Sequence, residues 1–399
     1  MTITRLSHLA DPALCSRLVI KVGSALLVGE DSTPRRAWLA DLVSEIAAAR
    51  ARGQDIIVVS SGAIALGARK LGLAKGGRGS LSDAQAAAAV GQITLAGLWA
   101  ELLAAHGLTA AQVLLTLEDL EDRRRYLNAA ATLGTLLSAG AVPVINENDT
   151  VATEEIRFGD NDRLAARVGQ AVGASAVLLL SDIDGLYDRD PLAPGASLIP
   201  VVKGVTPTIH AMATGGSSSG LGSGGMTSKL QAAEIAEMAG IALAIIDGRP
   251  RAPIAAALGA DRGTLFLPRG RKQARKAWLG GRMRMRGSVH IDVGAAAALA
   301  RGSSLLAAGV MQVDGAFARG DAIAVLGPDG AVVARGLCEY DSNECTRLMG
   351  HPSRDHEELL GYAPRSALIH RDQFFMIARR MPHQPRALIG IIQIGRAHV

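Results

Sequence analysis

The sequence predicts an α/β fold, with a doubly wound, mainly parallel central sheet and a small β-barrel-like C-terminal domain. Three observations predict it. Short apolar runs alternate with helical patterns through the first two-thirds of the 399 residues, as expected of strands buried on both faces between crossover helices. Beyond a basic stretch the pattern changes to short strands parted by Gly and Asp turns. Within the first of these regions, a Gly/Ser-rich run opens directly into an amphipathic helix, a backbone arrangement that cradles anions.

Taken in order, residues 18–23 (LVIKVG) and 56–62 (IIVVSSG) read as buried parallel strands, as do 113–116 (VLLT), 142–147 (VPVINE), 177–182 (VLLLSD) and 243–248 (LAIIDG). Between the first two, Thr33 is placed to cap a helix, Pro34 suits its first position and Gly53 ends it. Trp38, Leu42, Val43 and Ile46 form its core-facing stripe. A hairpin is expected after Asp149, then a helix starting near Asp160. Residues 204–225 read as a mobile active-site loop, because a strand–helix unit resumes after them. Leu230, Ile235, Met238 and Ile241 then carry a packed helix. Past residue 286 the strands are 288–293, 310–315, 322–327 and 332–342, with helical patches at 294–301 and 342–348.

Composition excludes several classes. No apolar run reaches the roughly 18–20 uncharged residues of a membrane span. Arg5, an interrupted apolar stretch and Asp11-Pro12 do not make a secretory signal. Cys15, Cys338 and Cys345 are an odd, widely spaced set without zinc-ligand spacing, which points to a reducing cytoplasm. The net charge of +5 is local: residues 262–286 hold nine Lys/Arg and no acid, and residues 375–399 hold four Arg and no acid. The remainder is net acidic, so the overall charge does not argue for general nucleic-acid binding.

Lys229 sits just inside the helix that follows the glycines, within reach of a bound phosphate. Gly220, Gly222 and Gly225 match G-x-G-x-x-G, but they follow a serine-rich loop rather than the strand that the dinucleotide fingerprint requires. The Walker pattern is absent, since Ser228 precedes Lys229. A flexible linker is the alternative for the Gly/Ser run. Lys21 lies in a strand otherwise made of Leu18, Val19, Ile20 and Val22. Burying its ammonium is costly unless it reaches an anion; otherwise it faces solvent on an alternating strand. Ser60 and Ser61 either cap the following helix or offer hydroxyls to an anion. Asn146, Glu147, Asn148 and Asp149, with Gly159, Asp160, Asn161 and Asp162, are dense enough beside Lys21 and Ser61 to suggest a polar pocket. Ser181, Asp182 and Asp184 resemble part of a calcium loop but lack its remaining ligands.

Together, residues 21–24 (KVGS), 60–65 (SSGAIA), 146–149 (NEND), 159–162 (GDND) and 224–229 (GGMTSK) resemble the amino acid kinase family. The resemblance covers roughly residues 15–374, and its second part, from Ser288 to about Asp372, looks like a PUA domain. It implies an amino acid kinase α/β/α sandwich over 1–265, a basic linker over 266–286 and a PUA barrel over 287–374. Residues 375–399 match neither part and are set apart as a tail.

The resemblance also implies a reaction: ATP-dependent phosphorylation of the L-glutamate side-chain carboxylate, with Mg²⁺, as the first step of proline biosynthesis. By it, Lys21 contacts the ATP phosphates, Lys229 flanks the transferring group and Asp162 orients both lysines. Ser61, Asp149 and Asn161 bind glutamate. Ser181, Asp182, Ser223, Gly224, Gly225, Met226, Thr227, Ser228 and Lys229 line the ATP site. No protein metal-ligand set is implied. Proline as feedback inhibitor and a homo-oligomer, dimer or tetramer, come with the resemblance.

Ser60 and Ser181 stand where the family often has Thr, and Thr227-Ser228 inverts a common order; each keeps a hydroxyl. Other acceptors used within the family are N-acetylglutamate, aspartate, carbamate and UMP. A PUA domain also raises RNA binding as a separate function, which is not favoured because charge runs are usually solvated.

Overall fold

The computed structural model describes residues 2–29, 33–151, 160–213, 225–268, 285–362, 367–371 and 374–376. The first unit (Met1–Arg284, with Ala318–Asp321 and Cys338–Tyr340) is built on one sheet. Its strands are β1 (Arg17–Val22), β2 (Asp55–Ser60), β3 (Ala110–Leu115), β4 (Val142–Glu147), β5 (Ala176–Ser181), β6 (Val201–Val202), β7 (Ala242–Asp247) and β8 (Thr264–Phe266). They lie in the order β3-β4-β2-β1-β5-β7-β8-β6. All neighbours run parallel except β7 and β8. The helices are α1 (Ser24–Leu27), α2 (Arg36–Ala51), α3 (Ala63–Leu71), α4 (Leu81–Ala104), α5 (Leu117–Glu121), α6 (Arg123–Ser138), α7 (Asp160–Val172), α8 (Pro207–Met212), α9 (Met226–Ala239) and α10 (Pro253–Ala260).

Strand parity explains the layers. Leu18, Ile20, Val22, Ile56 and Val58 pack in a core with Trp38 and Leu42 of α2 and Leu95 of α4. The intervening Val19, Ile57 and Val59 pack in a second core with Leu164 and Val168 of α7 and Leu230 and Ala233 of α9. Each fully buried side chain contributes about 1.5–3 kcal/mol, and a one-residue slip would exchange the two faces. The register is therefore held firmly. Lys21 shares the parity of Val19, which puts it on the α7 and α9 side.

Several expectations need correction. Helix α2 starts at Arg36 rather than Pro34. Pro34 instead bridges Val28, and Gly29 donates to the Thr33 carbonyl at 2.8 Å, which keeps residues 33 and 34 extended. Strand β3 is a sheet edge and only its last residue, Leu115, is buried. Residues 204–225 are not one loop, because α8 occupies 207–212 with Thr206 as its cap. Residues 152–159, where the hairpin was expected, and 214–224 lie outside the described residues.

Helix α4 also corrects the hydropathy reading: by length and composition it is apolar enough to span a membrane. Packing accounts for part of that composition: Ala87, Ala88, Gly91, Leu95, Trp99 and Leu103 are buried, whereas Ile93 is exposed. Helices α3 and α4 touch backbone to backbone. A Cβ on Gly67 would lie 1.7 Å from the Ala87 carbonyl oxygen, and one on Gly91 1.8 Å from that of Ala63.

The second unit holds β9 (Gly287–Ile291), β10 (Val310–Gly315), β11 (Ala322–Leu326), β12 (Val332–Leu337) and β13 (Phe374–Met376), ordered β10-β9-β11-β12-β13. Only the β9–β11 pair is parallel. Helices Val293–Ala300 and Ser342–Leu348 fall where the pattern put them, and His356–Leu360 is a third. Strand β13 was not foreseen: Phe375 and Met376 pair with Arg335 and Ala334, so the segment set apart as a tail begins inside the sheet. Residues 269–284 of the basic stretch and 377–399 lie outside the described residues.

Candidate active site

The site lies at the carboxyl ends of the central strands, where open α/β sheets bind ligands. Strand β1 runs between β2 and β5, with Lys21 beside Val59 and Leu179. The Lys21 side chain leaves toward α7 and is 8% exposed. Its Nζ lies 2.6 Å from Asp162 Oδ1. From the first turn of α9, Lys229 Nζ donates to the other oxygen, Asp162 Oδ2, at 3.2 Å. Asp162 is completely buried and Lys229 is 6% exposed. The solvated-strand alternative for Lys21 is thus excluded by its burial and its partner.

The electrostatics follow from this geometry. Burial alone would raise the Asp162 carboxyl, but the ammonium groups of Lys21 and Lys229 outweigh it and hold the carboxyl below the ordinary range. Burial is the largest influence on Lys21 and Lys229 adds to it; the Asp162 carboxylate opposes both, and the Lys21 ammonium ends below the usual lysine range. Two lysine amino groups and one carboxylate share a poorly solvated place, so the charged form of Lys21 is short of countercharge. A negatively charged ligand supplies it. The N-terminus of α9 adds to the attraction. Its cap is Gly225, which has no side chain to cap the helix, and the positive end of the helix dipole favours an anion there. Met226 and Ser228 are half-buried and Thr227 is exposed, while Ser223 and Gly224 lie outside the described residues.

A second group of side chains forms on the β2 and β4 side. Gly62 caps α3 at φ +107° with no side-chain bond, so the hydroxyls of Ser60 and Ser61 are not engaged in capping. A side chain at Gly62 would be strained by that backbone conformation. Ser60 is buried, accepts from Trp99 Nε1 at 3.0 Å and donates to the Ser61 carbonyl at 3.3 Å. It supports the turn rather than facing a ligand. Ser61 Oγ accepts from Asn161 Nδ2 at 2.7 Å. The same amide donates to Asn146 Oδ1 at 3.3 Å, and Asn146 Nδ2 donates to Gln92 Oε1 at 2.8 Å. Asn161 Oδ1 is buried and has no hydrogen-bond partner among the described residues. Asp149, half-buried just beyond β4, has its carboxyl pushed up to about 6 by burial.

On the other side of β1, Ser181 ends β5 opposite Asp247 of β7. Its hydroxyl donates to Asp182 at 3.1 Å, and its carbonyl accepts from Gly248 N at 2.7 Å. Asp184 accepts from Tyr187 Oη at 3.0 Å and Arg262 Nε at 2.7 Å. Asp247 forms a paired contact with Arg249 at 2.9 and 2.8 Å. Among the described residues, no group of three or more His, Cys, Asp or Glu is placed to hold a metal ion.

The structure therefore brings Lys21, Asp162 and Lys229 into contact, and Ser61 with Asn161. It places Asp149, Ser181 and Asp182 at strand ends on either side, without a direct contact to the lysines among the hydrogen bonds and ion pairs described. Gln92 escaped the sequence analysis, because it lies in an alanine-rich helix with no pattern to mark it, and Asn146 was placed in the polar pocket without a role of its own.

The amino acid kinase family model matches residues 16–247 and the PUA domain model residues 287–360. The glutamate 5-kinase of Novosphingobium aromaticivorans is 82% identical over 377 residues, covering 94% of this chain and 100% of that protein. That of Sphingopyxis alaskensis is 58% identical over 369 residues, covering 92% and 100%. That of Zymomonas mobilis is 53% identical over 367 residues, covering 92% of each. With two lysines on one buried carboxylate at the strand ends and these matches across its length, the chain belongs to the amino acid kinase family and carries a PUA domain.

Proposed function

We propose that this chain is a glutamate 5-kinase, transferring the γ-phosphoryl group of ATP to the side-chain carboxylate of L-glutamate. A carboxylate oxygen attacks the γ-phosphorus in line, the bond to the β–γ bridging oxygen breaks, and L-glutamyl 5-phosphate and ADP leave. The nucleophile is already ionised at neutral pH, so no base has to remove a proton. What the protein supplies is position and countercharge for a loose, metaphosphate-like transition state. The observation that carries this reading is the convergence of Lys21 and Lys229 on Asp162.

In this reading Lys21 draws on the ATP phosphates and Lys229 on the transferring group, while Asp162 holds the two amino groups in place. Ser61, Asn161 and Asp149 hold glutamate. Ser181, Asp182 and residues 223–229 line the nucleotide site. Magnesium enters as part of the nucleotide substrate, where it neutralises β- and γ-phosphate charge.

The same reading makes the reaction the first step of proline biosynthesis in the cytoplasm, by a dimer or tetramer. Proline, which shares an α-carboxylate and a positively charged nitrogen with glutamate, inhibits at or near the glutamate site. An ADP-release assay with glutamate, N-acetylglutamate, aspartate, carbamate and UMP tests the substrate. Turnover with glutamate is expected, and turnover confined to another acceptor overturns the assignment.

A further inference from the structure

The side-chain amides of Gln92, Asn146 and Asn161 form a directional series. Each amide has one end that only donates and one that only accepts, so the sense of one fixes the sense of the next. Gln92 presents its oxygen to Asn146 Nδ2 at 2.8 Å. Asn146 is 2% exposed, and with its nitrogen engaged its oxygen must face Asn161, whose Nδ2 lies 3.3 Å away. The second hydrogen of that Asn161 nitrogen goes to Ser61 Oγ at 2.7 Å. What remains is Asn161 Oδ1, a buried acceptor with no partner among the described residues.

A buried acceptor without a donor is unfavourable, so this atom is suited to a donor on a ligand. Free glutamate at neutral pH has one donor group, its α-ammonium. If Asn146 turned over, its nitrogen would meet the Asn161 nitrogen and its oxygen would meet the Gln92 oxygen, two like contacts in a buried place. With Gln92 presenting its oxygen, as it does here, that alternative is excluded. We infer that Gln92, through Asn146, is a positioning residue that keeps the Asn161 carbonyl oxygen turned toward the α-ammonium of the substrate.

This inference rests on the glutamate kinase reading above, and its test separates the two. Wild-type protein and the variants Gln92→Met, Gln92→Ala and Gln92→Glu are assayed for kcat and for the KM of glutamate and of ATP, with thermal melting as a fold check. Gln92→Met and Gln92→Ala lose the acceptor, and the glutamate KM is expected to rise about tenfold. Their kcat and ATP KM should stay within about twofold of wild type. Gln92→Glu keeps an acceptor there and should recover most of the loss. Gln92 is half-buried on α4, so truncation leaves no large internal cavity, and either truncated variant suffices if the other melts early. Unchanged glutamate KM in the truncated variants, a loss carried mainly by kcat or by ATP KM, or an equal loss in Gln92→Glu overturns the inference. Failure of the wild type to use glutamate removes the underlying reading instead.

Discussion

Two ammonium groups share the Asp162 carboxylate, and each of the three side chains is buried enough that losing one leaves the others uncompensated. Under the kinase reading the lysines act on charge that develops in the transition state. Lys21→Ala and Lys229→Ala should each lower kcat by about 10²–10³, with much smaller changes in glutamate KM. Steady-state kinetics check this, and a loss confined to KM removes that lysine from the transition-state role. Asp162→Asn removes the anion that two buried cations require and should cost about 3–5 kcal/mol of stability, seen as a lower denaturation midpoint.

Asp149 titrates nearer neutrality. Burial raises its carboxyl from 3.8 to about 6, so it is ionised at pH 7 and takes up a proton as the pH falls through 6. If the carboxylate holds the substrate ammonium, glutamate KM should rise on the acid side of pH 6 while ATP KM stays level. Asp149→Asn should flatten that acid dependence. Asp162 does not contribute to it, because its two lysines keep the carboxyl below the ordinary range.

Among the elements, the crossing of α3 and α4 controls where the acceptor side of the site lies. Helix α3 begins immediately after Ser61 and Gly62, and α4 carries Gln92 directly after Gly91. Gly67 and Gly91 allow the helix backbones to touch, and an added methyl at either meets a carbonyl oxygen under 2 Å away. Gly67→Ala must push the helices apart. A cost of about 1–3 kcal/mol is expected, lowering the melting temperature by several degrees and raising glutamate KM. Gly97, on the same helix with open space at its Cβ position, provides the control: Gly97→Ala should leave glutamate KM unchanged and, as Ala is the better helix former, hold or raise the melting temperature.

The long strands were legible because their apolar runs are local signals. Helix α9 was found by a partly wrong stripe: Met238 is exposed and Ile241 lies beyond the helix end at Ala239, while Leu230, Ala233 and Ala236 are buried. The start of α2 was not legible, because the contact between Val28 and Pro34 competes with the cap suggested by Thr33. Nor was β13, whose three residues are strand only because β12 offers them an edge. In α4 the apolar content suits helix packing as well as it suits lipid, so hydropathy by itself could not assign its surroundings.

Taking the molecule as a whole, net positive charge is confined to residues 262–286 and 375–399, and the rest of the chain is net acidic. If the first of these stretches is only a solvated linker, the protein should not retain single-stranded RNA even at low salt in a filter-binding assay. Retention with a steep salt dependence would establish an RNA function for the PUA unit.

Read alone, the residues already specified the alternation of strands and helices, the glycine run before Lys229, and the cost of burying Lys21, since all of these are properties of neighbouring positions. Which side chains meet was decided by folding. Asp162 joins Lys21 and Lys229 because α7 and α9 pack on the same face of β1, and Gln92 reaches Asn146 because two glycines let α3 and α4 close up. Such contacts depend on strand parity, helix crossing and side-chain direction, quantities that a linear pattern does not contain.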